Sequence, residues 1–116
     1  MVNVELKIDY DKISQELKVR PEILKRLILS FSQALADRMV KLEEALKNND
    51  TAQMRAILHE IKGTGGNLRL TTITTAENDM HVAVKAGEEK AKLENYFKVL
   101  KQRVSELGQY LSKAAP

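Results

Sequence analysis

Apolar positions along this chain recur every three or four residues and almost nowhere every second one. That is the helical period, and it predicts helices and no strands. From Asp9, the residues Tyr10, Ile13 and Leu17 mark a short first helix. Pro21 stands where a helix favours its start, because the first turn does not need the missing N–H. Leu24, Ile28, Phe31, Leu35, Met39, Leu42 and Leu46 then form one long stripe, which predicts a second helix ending near Asn48-Asn49. Asp50 is an N-cap, and Gln53 three residues on gives a capping-box pattern. The third stripe is Met54, Leu58, Ile61, Gly65 and Leu68, followed by a turn at Arg69 to Thr72. Ile73, Ala76, Met80 and Val84 mark a fourth helix, with Gly87 as its stop. Its start is blurred by Thr71 to Thr75, which are poor helix formers. Leu93, Phe97, Leu100, Val104, Leu107 and Leu111 mark the last helix. Met1 to Ile8 reads as an extended lead-in, and Lys113 to Pro116 as a fraying end.

The loops between these stripes are short, and short loops make consecutive helices antiparallel. The expected fold is all-α: an antiparallel up-and-down four-helix bundle with a short extra N-terminal helix. With 116 residues, the chain is one domain, 1–116, long enough for a single core and too short for two. There is no repeat, low-complexity segment or domain linker.

Composition narrows the function. The absence of cysteine removes disulfides and thiolate metal sites and suits a reducing compartment. No run of about 18 apolar residues occurs, so no membrane span is expected. The first residues lack the basic-then-apolar layout of a signal peptide, which makes the cytoplasm the default location. The net charge of +3 is mild, and acids and bases are interspersed. Nucleic-acid binders gather lysines on one face with aromatics between them, and no such gathering is visible. The expectation is a monomer that binds neither nucleic acid nor membrane.

The chemistry concentrates in His59-Glu60-Ile61-Lys62-Gly63-Thr64-Gly65-Gly66-Asn67-Leu68. Three glycines lie inside a predicted helix, and each costs roughly 1 kcal/mol relative to alanine. A helix that accepts this cost has a bare surface for close approach. His59 is about 100° of rotation from Leu58 and so falls at the edge of the core, partly open. Lys62 and Gly63 follow at i+3 and i+4, on the histidine's own face. Neutral imidazole is a nucleophile near pH 7, and a lysine can offset the charge of a phosphoryl group as a point cation. No phosphate-binding loop for ATP exists: Lys62-Gly63-Thr64-Gly65-Gly66 has the wrong order and follows no strand. Acids with Mg²⁺-binding spacing are also lacking. These residues describe a carrier of a phosphoryl group, not a kinase.

His59-Glu60-Ile61-Lys62-Gly63 followed by Asn67-Leu68 resembles the histidine-containing phosphotransfer (HPt) domain of two-component multistep phosphorelays. That family's pattern is His-x-x-Lys-Gly on a helix, with small residues behind it, in a four-helix bundle of about this length. The resemblance covers nearly the whole chain. It implies that His59 accepts the phosphoryl group and that Lys62 lies beside it. It implies that Gly63 keeps the surface low for a docking partner, with Gly66 and Asn67 at the small and polar positions that follow. The partners it implies are receiver domains of response regulators or hybrid sensor kinases. An aspartate of one receiver donates the group and another receiver takes it. The carrier needs no cofactor or metal, and Mg²⁺ belongs to the receiver. Two positions depart from the family: Arg69 stands where glycine is common, and Met80-His81 where Leu-Glu is common. Neither bears by position on the phosphorylation chemistry.

Competing readings are blander. A lone histidine at a core edge is more often structural than functional, and only Lys62, Gly63 and the bundle together raise His59 above that. His81 has Lys85 at i+4 but no glycine-cleared surface, and reads as a solvated or structural histidine. A metal site from His59, His81 and nearby acids lacks a motif. Met39, Met54 and Met80 read as core filler. The alternative function is a helical protein–protein interaction module without covalent chemistry, a degenerate phosphotransfer domain.

Overall fold

The computed structural model describes residues 8–114. They form five helices and no strand: α1 (Tyr10–Leu17), α2 (Pro21–Lys47), α3 (Thr51–Asn67), α4 (Thr71–Lys85) and α5 (Lys90–Ala114). The fold is all-α. The expected lead-in lies outside the described residues, apart from a buried Ile8. Of the expected fraying end, Lys113 and Ala114 are still helical, and the rest lies outside.

Helices α2, α3, α4 and α5 close a ring in which each packs on the next and α5 returns to α2. Three-residue or four-residue connections leave no room for anything but antiparallel neighbours. The predicted stripes face inward: Leu24, Ile28, Leu35, Leu42, Leu58, Ile61, Ile73, Met80, Leu100 and Leu107 are fully buried. Each such side chain contributes about 1.5–3 kcal/mol of burial. Met39, Met54 and Met80 all lie in this core.

At 1.5 Å per residue, α2 is about 40 Å long and α3 only about 25 Å, against a longest molecular dimension of 42 Å. Helices α3 and α4 therefore cover only part of α2 and α5. Helix α1 packs on α2, where half-buried Tyr10, Leu17 and Tyr110 join the core. Arg69 in the α3–α4 turn reaches Glu16 of α1, Nε to Oε1 3.4 Å.

Asp9 and Asp50 cap α1 and α3, each accepting from the backbone N–H three residues on at 3.1 Å. The expected turn at Arg69 to Thr72 is corrected: the turn is Leu68 to Leu70, and α4 begins at Thr71. The cause is a left-handed residue directly after the helix. Arg69 has φ 60°, so its N–H reaches Gly66 O at 3.1 Å and the Leu70 N–H reaches Gly65 O at 2.9 Å. These paired bonds are the Schellman closure, which reverses the chain within three residues. Helices α2 and α4 end the same way at Asn49 and Gly87.

Candidate functional site

Helix α3 presents two faces that differ in kind. Met54, Leu58, Ile61 and Gly65 point into the bundle. Arg55, His59, Lys62, Gly63 and Gly66 are exposed, as is Asn67. His59 thus stands farther out than the core edge expected for it. The helix period puts Lys62 and Gly63 beside the histidine and Gly66 one further turn along.

The three glycines divide by role. A Cβ on Gly63 or Gly66 would meet nothing within 4 Å. Neither is needed for packing, and together they leave the surface next to His59 bare. On Gly65 it would lie 3.1 Å from Thr74 Cγ2 and 3.5 Å from Phe31 Cζ. Gly65 is therefore the packing glycine, where α3 comes close to α4 and α2.

Beneath this surface lies a group that the sequence did not point to. Glu77 of α4 is 0% exposed, and its Oε2 is 3.1 Å from Nδ1 of His81 one turn on. Its Oε1 has no hydrogen-bond partner. Burial pushes the Glu77 carboxyl up to about 7, while Lys62, His59 and Lys85 pull it down. Burial pushes His81 below its ordinary value, reinforced by Lys85, Arg55, Lys62 and His59. His81 is therefore not a solvated histidine: its side chain is only 12% exposed and bonded to the buried acid. His59 and Lys62 on α3 are among the groups that push it down. A stripe reading of α4 passed over Glu77 because Ala76, beside it, already filled the core position.

Arg55, Lys62 and Lys85 all act on His81, and the helix period puts Arg55 and Lys62 one turn before and one turn after His59 on its own face. Such a setting favours an anion at His59. Among the described residues no cluster of three or more His, Asp or Glu could hold a metal ion. Also among them, no helix is long and apolar enough to cross a membrane.

A family model for the Hpt domain matches residues 26–110. The chain belongs to the Hpt-domain family. No curated protein and no solved structure matches the chain. Hpt domains serve histidine phosphotransfer in phosphorelays and interact with receiver domains. The matched span runs from the first third of α2 almost to the end of α5 and leaves α1 outside. The ring of four helices holds the matched span, and His59 lies within it.

Proposed function

We propose that the protein is a phosphorelay carrier that accepts a phosphoryl group on His59 from a receiver-domain aspartate and passes it to another receiver. One observation carries this: in an Hpt domain, His59 is an exposed imidazole on a face with Lys62 beside it and two glycines whose Cβ positions are open space. The unprotonated ring nitrogen attacks phosphorus. The N–P bond forms as the P–O bond to the aspartate breaks, and the carboxylate leaves. Lys62 offsets the incoming charge, with Arg55 one turn before His59 on the same face. Gly63, Gly66 and Asn67 form the floor on which the receiver docks. The carrier acts as a single cytoplasmic domain and a monomer. It has no ATP site or cofactor of its own, and Mg²⁺ is supplied in the receiver.

The test is incubation with a phosphorylated receiver domain. Label should move to the wild type and to His81→Gln but not to His59→Gln. The product should be labile in acid and stable in alkali, as a phosphoramidate is. Acid-stable label on Thr64 would give the role to another residue. Receiver binding without any transfer would favour a non-covalent interaction module instead.

A further inference from the structure

Thr74, Glu77 and His81 are spaced three and four residues apart on α4, so they share one face. Thr74 is the residue that meets Gly65 of α3. One turn along each antiparallel helix from that contact, Lys62 comes opposite Glu77. One turn further, the turn that carries His59 comes alongside His81. The pair therefore lies against the inner side of the site. Glu77 is wholly buried, and the 12% exposure of His81 is the pair's opening to solvent.

The titratable and charged groups acting on the pair are Arg55, His59 and Lys62 from α3 and Lys85 from α4 itself, with none from α5 among the described residues. Burial favours the neutral form of each partner, and a single bond of 3.1 Å joins them. Such a pair holds one proton in common, either as acid and neutral imidazole or as carboxylate and imidazolium. Both forms have zero net charge. Loss of that proton leaves one negative charge in the interior, on a carboxylate whose Oε1 has no partner. An unpaired buried charge is a costly arrangement.

We propose that Glu77 and His81 form a proton-holding pair behind the phosphoryl site, and that phosphorylation of His59 draws a solvent proton onto it. The inference rests on His59 being the acceptor. A phosphoryl group brings about −1.5 to −2 charge at neutral pH. Beside it, a deprotonated pair is a second anion in a poorly screened interior. One proton taken from solvent by the pair removes that repulsion, and departure of the phosphoryl group returns the proton. No other bond is made or broken. By linkage, the phosphorylated state is held more weakly as pH rises through the step at which the pair loses its proton.

The test follows the His81 ring and the Glu77 carboxyl carbon by NMR across the neutral pH range. It is done before and after loading with phosphoramidate, and the label is mapped. The two groups should titrate in one common step, and loading should raise that step by about one pH unit. In Glu77→Gln, His81 should take up its proton only at lower pH than in the wild type. If that variant does not fold, the wild-type carboxyl signal alone decides. An ordinary low carboxylate titration for Glu77 would overturn the inference. So would a step that stays in place while His59 carries the label. Label on another residue would instead overturn the acceptor assignment, and this inference with it.

Discussion

Gly65 of α3 and Thr74 of α4 are so close that a Cβ on the glycine would stand 3.1 Å from the threonine Cγ2. This contact lies between the two helices that carry His59 and the Glu77–His81 pair. It also separates one glycine from the others. Gly63→Ala and Gly66→Ala should each stabilise the fold by roughly 1 kcal/mol, the gain in helix propensity. Gly65→Ala has the same propensity gain but must push Thr74 aside, so it should melt below the other two. In a Thr74→Ser background, which removes the offending methyl, the gap should narrow. Equal melting temperatures for the three alanine variants would show that the close approach has no energetic consequence.

Gly63 tests docking against chemistry. A side chain there meets open space, so Gly63→Gln should melt no lower than the wild type. The same side chain stands beside His59 on the face a receiver must approach. Transfer from a phosphorylated receiver should slow sharply, while phosphorylation by phosphoramidate, a small donor, should fall less. Unfolding of the variant would contradict the open space seen around Gly63. Unchanged receiver transfer would move the docking surface elsewhere.

Lys62 is exposed and has no ion-pair partner within 4.0 Å among the described residues. Lys62→Ala should therefore change the melting temperature little. It should slow transfer and shorten the life of the phosphorylated form, because the group at His59 carries about −1.5 to −2 charge. The effect should weaken as ionic strength rises. Rates equal to wild type at low salt would exclude a direct charge role.

Much of this was legible in the sequence. The stripes of α2 to α5 follow from period alone, since a bundle buries one face of each helix. Asp50 and Pro21 marked helix starts because their chemistry suits only that place. Helix ends were legible only in part. Four non-helical turns rest on positive φ at Lys18, Asn49, Arg69 and Gly87. Glycine and asparagine announce such a conformation, but lysine and arginine do not, so the sequence puts the turn after α3 too far along. That His59, Lys62 and Gly63 share a face was legible because glycines inside a helix are conspicuous, whereas His59 lies farther out than the core edge expected for it. Glu77 was not: whether a single acid beside a stripe faces solvent or core depends on the neighbouring helix, which the period does not specify.

Arg69 shows how a side chain can replace glycine in that turn. A left-handed conformation costs a non-glycine residue about 1–2 kcal/mol. The guanidinium offsets part of this by donating from Nη1 to Gly66 O at 3.1 Å and Asn67 O at 3.2 Å, carbonyls at the end of α3. It also pairs with Glu16 of α1 at 3.4 Å, an exposed pair that contributes little by itself. Arg69→Ala keeps the strain and loses the bonds, whereas Arg69→Gly loses both. The glycine variant should therefore melt above the alanine variant. The reverse order would mean that the turn does not hold φ positive at this position in solution.

The buried Glu77 carboxyl is pushed from the ordinary 4.5 up to about 7. Below the lower value both folded and unfolded chains hold this proton, and Glu77 costs the fold no ionisation. Between the two values the unfolded chain releases the proton and the folded chain keeps it. The slope of stability with pH follows the protons bound by the unfolded state minus those bound by the folded state. For Glu77 that difference is negative, so its contribution falls as pH rises through this window and is level above it. His81 acts in the opposite sense: it is pushed below 6.5, so its contribution rises with pH up to that value. The two partly cancel in the wild type; Glu77→Gln removes the first and pushes His81 further down, which moves the difference between variant and wild type in the same direction. Glu77→Gln keeps the size of the side chain and removes its ionisation. Its melting temperature relative to the wild type should therefore climb from pH 4.5 to pH 7 and then level off. A difference that stays flat across this window would mean that Glu77 ionises like an exposed carboxylate and that its burial is not maintained in solution.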